Sequence, residues 1–323
     1  MSEHIQQSIK IPNELGNKRF DQVAAQLFPD FSRARLQSWI QDGSLTVDGE
    51  IRRSKDKLIG GELLKIDVIT QAEGEWLPED MEIDIVYEDD HIMIINKPMN
   101  MVVHPAAGNL TGTLLNGLLH HCPSLQSIPR AGIVHRLDKD TTGLMVVAKT
   151  LQAQNSIVEQ LQSRQMGREY EAIVQGTMTG GGSVKEPMAR HAKDRTRMAV
   201  HPTGKDAITH YRVLEGFPSF THVRVKLETG RTHQIRVHMA HIKHPLAGDK
   251  TYGGKVKLPK GVSNRLREVL RDFPRQALHA KRIELHHPDT NRIVHWEVPL
   301  PDDFQKLVDA LKYDAEQSDE VIY

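Results

Sequence analysis

The chain has 323 residues, 38% hydrophobic and 26% charged, a composition typical of a soluble globular protein with about two domains and not of a disordered chain. Its longest apolar runs, such as residues 92–95, are far shorter than the roughly 20 residues that cross a membrane, and the polar N-terminus has no secretion signal. The single cysteine, Cys122, excludes an intrachain disulfide and a cysteine-rich zinc module, so a cytosolic protein is expected.

The formal net charge of zero is unevenly distributed along the chain. Residues 71–90 contain nine acidic residues and no Lys or Arg, whereas residues 91–300 contain 30 Lys and Arg against 16 Asp and Glu, a net of +14. A basic body with acidic margins is typical of proteins that bind a polyanion, but cations scattered over a solvated surface give the same count. The charge pattern alone leaves both interpretations open.

Two helices and a small sheet are predicted for residues 1–72. Apolar side chains recur at helical spacing in residues 18–28, and Ser32 is an N-cap residue for a second helix that stops at Gly43. Strand-like segments follow, at 44–50 with an Asp-Gly turn and at 61–69. Cations cluster at the start of the second helix and after the turn: Arg33, Arg35, Arg52, Arg53, Lys55 and Lys57. The module resembles the alpha-L RNA-binding domain named after a small-subunit ribosomal protein, which implies that these cations bind RNA backbone.

Residues 73–82 are predicted to form an acidic linker, and residues 83–323 to form one α+β domain around a mixed, mainly antiparallel β-sheet. Strands are predicted at 83–87, 91–96, 143–149, 169–175, 208–214, 221–228, 277–286 and 293–298. Helices are predicted at 112–121, 151–165, 232–242, 263–271 and 302–312. The glycine run 180–182 is expected to be a hairpin or loop, because no Gly-Lys-Ser/Thr follows it.

One carboxylate in the segment HRLDKDTTGLMVVAK, residues 135–149, is flanked by cations. Asp138 lies two residues after Arg136 and directly before Lys139, and a Thr-Thr-Gly turn then leads into an apolar strand. The turn would hold Asp138 at a sheet edge and Arg136 would help to keep it ionised, so Asp138 is a candidate nucleophile, base or metal ligand. The alternative is a surface ion pair worth about 0–1 kcal/mol.

A second polar segment, residues 228–254, is predicted to carry a helix with an apolar face. Ile235 and Met239 are four residues apart and are expected to face inward, so the polar residues of the helix line its other faces. An arginine that enters a buried site needs a carboxylate partner, because unpaired buried charge is costly. Asp138 is the expected partner of Arg236, and a solvated arginine on an exposed face is the alternative.

Three blocks of this sequence occur in a fixed order: GIVHRLDKDTTGLMVVAK, REYEAIVQG and LETGRTHQIRVHMAHIKHPLAGDKTYGG. They resemble the signature blocks of the RluA-type pseudouridine synthases, and the resemblance covers essentially the whole chain. It implies an RNA-modifying enzyme that breaks the N1–C1′ bond of uridine, turns the uracil and rejoins it through C5. It also implies that no cofactor and no metal take part.

The resemblance assigns roles to five residues. It implies that Asp138 is the catalytic aspartate, that Tyr170 stacks beside the target uracil and that Arg236 forms a salt bridge with the aspartate. Ile235 would line the pocket, and Arg136 would enter the RNA stack where the uridine has left. One departure follows Lys97-Pro98, where Asn100 stands in place of the expected glycine, although Asn tolerates the left-handed conformation.

The implied substrate is large-subunit (23S) ribosomal RNA, at uridines of the helix 69 stem-loop, within ribosomal or pre-ribosomal particles. A monomer that acts in the cytoplasm without a membrane partner is expected. Whether the aspartate attacks C1′ or acts as the base that triggers glycal formation stays open. A related family member with different ribosomal RNA sites is an alternative.

Two other classes of function compete with this interpretation. A metal hydrolase could use the histidines at positions 120, 121, 238, 241 and 244, but no HExxH or Cys-x-x-Cys motif accompanies them. A non-catalytic RNA-binding factor for ribosome assembly would fit the charge pattern equally well, but would not need the catalytic blocks. Residues 190–205 carry five cations and are expected either to contact RNA backbone or to form a solvated loop.

Overall fold

The computed structural model describes residues 3–29, 31, 33–70, 76–106, 109–254 and 261–320. Contacts between residues divide the chain into two compact units, Met1–Glu75 and Trp76–Tyr323. No helix within the described ranges is long and apolar enough to cross a lipid bilayer.

The first unit consists of two helices on a small antiparallel sheet. Its elements are β1 (Glu3–Lys10), α1 (Phe20–Leu27), α2 (Arg33–Asp42), β2 (Leu45–Val47) and β3 (Leu63–Thr70). Strand β3 lies between β1 and β2 and pairs with both in antiparallel orientation. Strand β1 was not predicted, because its few apolar residues lie among polar ones and its order comes from pairing with β3.

The core of the first unit confirms the predicted inner faces of both helices. Phe20 and Val23 of α1 pack with Leu36 and Ile40 of α2, and all four side chains are buried. The Asp-Gly turn after β2 has positive φ at both residues, 52° and 81°, as tight hairpin turns require. The predicted N-cap, Ser32, lies outside the described residues.

The second unit alternates strands and helices. Its strands are β4 (Ile85–Glu88), β5 (Ile92–Lys97), β6 (Thr142–Ala148), β7 (Gly167–Gln175), β8 (Gly182–Lys185), β9 (Met188–Arg190), β10 (Met198–Val200), β11 (Ile208–Gly216), β12 (Phe220–Leu227), β13 (Leu278–His286) and β14 (Ile293–Glu297). Its helices are α3 (Leu114–His121), α4 (Leu151–Gln162), α5 (Gln234–His241), α6 (Asn264–Asp272) and α7 (Asp302–Glu320). Helix α7 runs well beyond the predicted end at 312, because the acidic residues after it continue the helix without an apolar pattern.

In the part of the second unit that the structure describes, nine strands form one sheet in the order β4-β5-β6-β13-β7-β12-β11-β8, with β14 paired to β13. The pair β6 and β13 is parallel and the other neighbours are antiparallel, which confirms the predicted α+β architecture. Strands β9 and β10 form a separate hairpin, which begins two residues before the basic segment 190–205 and extends into it. Strands β8 to β10 were not predicted, since they are short and largely exposed.

Helices cover both faces of the large sheet. Helices α3 and α5 pack on one face, where Met145 and Val147 of β6 point. Helix α4 packs on the other face against Leu144 and Val146, and α6 and α7 pack near Ile173 on that same side. Asp138 therefore lies in a loop that enters a strand buried on both faces.

Candidate active site

The loop before β6 is fixed by contacts at both of its ends. The Thr141 N–H donates to the Asp138 carbonyl at 3.0 Å, which closes the turn. Gly143 has φ 109°, and a Cβ there would collide with the Ala280 carbonyl oxygen, so glycine allows β6 to start beside β13. On the other side, His135 Nε2 accepts the Val146 N–H at 3.0 Å. This contact requires an imidazole that is unprotonated at Nε2, and burial lowers the pKa of His135 to about 3.

Lys97, at the end of β5, ties the loop to the sheet. Its side chain is 1% exposed and its ammonium donates to the carbonyl oxygens of Pro98 at 2.8 Å, Met101 at 3.0 Å and Lys139 at 2.9 Å. Burial lowers the pKa of Lys97 to about 7, and the carboxylates of Asp140 and Asp138 oppose that shift. The neighbouring Asn100 has φ 62°, so the predicted left-handed conformation is confirmed.

Arg236 lies between two carboxylates. Its Nε and Nη2 donate to Asp249 at 2.7 and 3.0 Å, and its Nη1 donates to Asp138 Oδ2 at 3.0 Å. Asp249 is fully buried and accepts two further bonds from the N–H groups of Thr251 and Tyr252, at 2.9 and 3.1 Å. Burial alone would lower the pKa of Arg236, but Asp249 and then Asp138 raise it above its ordinary value. The predicted contact between Arg236 and Asp138 is present, and Asp249 fixes the guanidinium that makes it.

Asp138 keeps one oxygen open. Its side chain is 17% exposed, and His233 Nε2 lies 3.8 Å from Oδ1, beyond hydrogen-bond distance. His233 starts α5 with a left-handed backbone, φ 56°, which is uncommon for a non-glycine residue. Burial lowers the pKa of His233, with Asp138 opposing that shift, so the ring stays neutral near pH 7.

Tyr252 connects this centre to the basic hairpin of β9 and β10. Its hydroxyl lies 2.8 Å from His233 Nδ1 and accepts the Met198 N–H at 2.9 Å. The guanidinium carbons of Arg236 and Arg197 lie 5.1 and 5.2 Å from its ring centroid, within the range of cation–π attraction. The hairpin is thus attached to the same arginine that holds Asp138.

A cavity of about 330 Å³ opens beside Asp138. Tyr170 of β7, 6% exposed, and Ile235 of α5 line it, and Arg136 lies at its exposed margin. Burial raises the pKa of the Tyr170 hydroxyl, Arg168 opposes this shift and Asp138 adds to it, so a neutral phenol faces the cavity at pH 7. The volume is at the small end for ligand pockets, which suits a single nucleotide base with its sugar.

Comparison with known proteins identifies the family. Residues 91–241 match the family described as RNA pseudouridylate synthase. The chain is 57% identical over 316 residues to a protein of Pseudomonas aeruginosa named ribosomal large subunit pseudouridine synthase D, which covers 98% of this chain and 99% of the relative. The chain belongs to the RNA pseudouridine synthase family. It is an enzyme that isomerises uridine to pseudouridine.

Other relatives support the same assignment. A Yersinia pestis protein with the same name is 53% identical over 318 residues, or 98% of each chain. The solved structure of human RNA pseudouridylate synthase domain containing 4 has a TM-score of 0.58 at 26% identity, and the match covers 71% of this synthase and 93% of the human chain. The likeness extends from sequence to the fold.

The structure brings together the residues expected at the active site of this synthase. Asp138, Arg236, Tyr170, Ile235 and Arg136 all line the same cavity. The four arginines of the first unit that were predicted to bind RNA differ in their surroundings. Arg52 Nη1 pairs with Glu62 at 2.7 Å and Arg53 is exposed, whereas the side chains of Arg33 and Arg35 lie outside the described residues.

Two of the histidines considered as metal ligands, His238 and His244, have other partners in this synthase. His238 Nδ1 lies 2.8 Å from Thr209 Oγ1 and its Nε2 lies 2.9 Å from the Glu186 carbonyl oxygen. His244 Nδ1 lies 2.9 Å from the Gln175 carbonyl oxygen. Among the residues with described positions, no group of three or more His, Cys, Asp or Glu side chains is arranged to hold a metal ion.

Sequence reasoning missed Asp249 and Tyr252. Both lie at the end of the third block, in GDKTYGG, and the available signal was an acid 13 residues after a helical arginine. A guanidinium carries five N–H donors, so a buried arginine can bind two carboxylates, and assigning it only one was incomplete.

Proposed function

We propose that this synthase converts uridines of large-subunit ribosomal RNA to pseudouridine, with Asp138 as the catalytic carboxylate and the helix 69 stem-loop as target. The near full-length identity to relatives named as large-subunit synthases supports the ribosomal substrate. The choice of helix 69 rests on the resemblance of the sequence blocks. The proposal includes a monomer that acts in the cytoplasm on ribosomal or pre-ribosomal particles.

The observation that carries the proposed role of Asp138 is the chain of contacts from Asp249 through Arg236 to Asp138. Asp249 holds the guanidinium with two bonds, so Arg236 presents Nη1 to Asp138 Oδ2 from a fixed position. Asp138 lines the cavity, and its Oδ1 has no hydrogen-bond donor among the described residues, since His233 Nε2 lies 3.8 Å away. An ionised oxygen in that position can attack C1′, or can remove a proton to start glycal formation.

The target base reaches Asp138 by leaving the RNA stack. Extrusion costs a few kcal/mol and is cheapest in a loop, which favours a stem-loop substrate. Stacking on the Tyr170 ring recovers about 1–3 kcal/mol. Arg136 is exposed beside Asp138, where its guanidinium can fill the gap that the base leaves.

The first unit is proposed to bind RNA backbone through its exposed cations. Arg53 is exposed, whereas Arg52 is held by Glu62 at 2.7 Å. Neutralising Arg53 should lower the slope of log Kd against log salt by about one, as expected for one lost phosphate contact. The matched variant Arg52→Gln should instead reduce thermal stability, and an unchanged slope for Arg53→Gln would remove Arg53 from the RNA contacts.

The test of the proposed function maps pseudouridines at nucleotide resolution. Unmodified large-subunit ribosomal RNA and precursor particles are treated with wild-type enzyme or with Asp138→Asn, in chelator and without added cofactor. New pseudouridines in helix 69 made by the wild type alone, with RNA binding retained by Asp138→Asn, are the expected result. Turnover by Asp138→Asn would contradict the catalytic assignment, and modification elsewhere would contradict the target.

A further inference from the structure

Arg168, two residues before Tyr170 in β7, is buried without a polar partner among the described residues. Its side chain is 6% exposed, it lines the active-site cavity, and its Nε is buried with no hydrogen-bond partner. No ion pair or hydrogen bond links it to any residue whose position the structure describes. An arginine stays charged in proteins, so this is an uncompensated cation in the wall of the cavity.

The other buried arginines of the second unit show how unusual this is. Arg236 binds two carboxylates. Arg275 forms two bonds with Asp303, at 2.7 and 2.9 Å, and a third N–H group reaches backbone carbonyl oxygens. A buried charge without partners costs several kcal/mol, so its presence points to a ligand that supplies acceptors.

The location of Arg168 limits what that ligand can be. Arg168 and Tyr170 project from the same face of β7, and residues two apart on a strand are separated by about 7 Å. A uracil stacked on the Tyr170 ring would therefore present its carbonyl edge near the guanidinium. Gly230 leaves the space for this group, because a Cβ there would lie 2.5 Å from Arg168 Nη1.

We propose that Arg168 binds a carbonyl oxygen of the extruded uracil and stabilises the uracil anion formed when the glycosidic bond breaks. In that step the N1–C1′ bond breaks, its electron pair goes to N1 and is shared with the ring carbonyl oxygens, and the sugar carbon is left to Asp138 or to glycal formation. The pair returns from C5 when the new C–C bond forms. The C5 proton then passes to a base, Asp138 or water, and N1 takes up a proton from water, so the product is an isomer of the substrate. No further reactant is needed, and the guanidinium acts in either route because the uracil departs as an anion in both.

A phosphate of the RNA backbone is the other acceptor with suitable chemistry. Backbone phosphates stay at the protein surface when only a base is extruded, whereas Arg168 is almost completely covered. Burial therefore favours the base. The two acceptors also predict different kinetics, because charge appears on the uracil only in the transition state and on a phosphate from the start.

The inference rests on the proposed function. Single-turnover kinetics on RNA that the wild type modifies test the role of Arg168 separately from the proposed function. Arg168→Gln should lower the rate of N1–C1′ cleavage about 100-fold, the usual effect of losing one donor to a developing anion, with KM nearly unchanged. The deficit should be smaller with 5-fluorouridine at the target, since fluorine stabilises the departing uracil anion itself. If the wild type does not modify the RNA, the proposed function fails before any variant is compared.

Two more variants guard against a purely structural effect. Gly230→Ala keeps the arginine but displaces its guanidinium, and should reproduce the loss of rate in milder form. Arg164→Gln removes an exposed arginine just before β7, which pairs with Glu228, and should leave the rate unchanged. The melting temperature of Arg168→Gln should not fall, because the substitution removes an unpaired buried charge.

Three outcomes would overturn the inference. A raised KM with unchanged kcat would assign Arg168 to a phosphate. If Arg168→Gln lowered the cleavage rate equally for uridine and 5-fluorouridine, the guanidinium would not be stabilising the departing uracil anion. A lower melting temperature in proportion to the loss of rate would make Arg168 a folding residue.

Discussion

Replacement of Asp249 by Asn should destabilise the enzyme more than replacement of Asp138, the proposed catalytic carboxylate. Asp249 is fully buried and accepts four hydrogen bonds, two from Arg236 and two from backbone N–H groups. Removing one partner of a buried ion pair costs about 3–5 kcal/mol. Asn keeps the size and one oxygen, and Arg236 keeps Asp138, so we expect the lower value, about 3 kcal/mol.

Calorimetry and kinetics test this estimate together. A loss of about 3 kcal/mol lowers the Tm of a unit of this size by roughly 6–12 °C. Without its anchor the Arg236 guanidinium can move, and a displacement of the order of 1 Å lowers kcat/KM by up to about 100-fold. We expect measurable residual activity, because Asp138 itself is intact.

The matched control is Asp138→Asn, which removes the same charge from the same arginine. Asp138 is 17% exposed and shares one hydrogen bond with Arg236, whose charge Asp249 still balances. Its replacement should shift the Tm by no more than about 3 °C while abolishing turnover. The reasoning is refuted if Asp249→Asn melts within about 2 °C of wild type, or if the two variants lose equal stability.

Other variants probe the cavity wall and the loop. Tyr170→Phe should change kcat/KM by less than about 5-fold, because the raised pKa keeps the hydroxyl a neutral phenol and the ring is retained. Tyr170→Ala should lose the stacking energy of about 1–3 kcal/mol. A severe loss of activity in Tyr170→Phe would show that the hydroxyl takes part in the reaction. Tyr252→Phe should lower the free energy of unfolding by about 1–3 kcal/mol in thermal melts, because two hydrogen bonds are lost while the cation–π contacts remain. An unchanged Tm would show that those hydrogen bonds do not stabilise the fold. The folded-state pKa of His135, about 3, lies below its ordinary value of 6.5, so the unfolded chain binds more protons between these values and stability falls as the pH falls. Urea titrations from pH 6.5 to 4 should show a decline of up to about 1.4 kcal/mol per pH unit from this group, and His135→Asn should show a shallower decline.

The parts of the fold that were predictable are those with a local signature. An unbroken apolar run predicts strand β6, and apolar residues at helical spacing predict α1 and α2. The parallel pairing of β6 with β13 brings together residues about 137 positions apart, such as Thr142 and His279, and no local pattern specifies it. The β9–β10 hairpin was also out of reach, since its order depends on contacts such as the Met198–Tyr252 hydrogen bond.

The active site was predictable from the sequence only as far as each buried charge was assigned a partner of opposite charge. A buried Arg236 requires a carboxylate partner, and this rule predicts Asp138 from the sequence. The same rule applied to all the donors of the guanidinium would have led to Asp249. Arg168 could not be found in this way, because only the folded chain reveals a buried arginine whose Nε has no hydrogen-bond partner among the described residues.

The contacts of Lys97 have a consequence for how this enzyme family can diverge. Lys97 holds the catalytic loop through three main-chain carbonyl oxygens, and a carbonyl oxygen is the same whatever side chain its residue carries. Positions 101 and 139 are therefore free to change without loosening the loop. Lys97 itself is not free, because methionine has no donor and the forked guanidinium of arginine does not fit a space shaped for a compact ammonium. Among related sequences, positions 101 and 139 should therefore vary while the lysine at position 97 is retained.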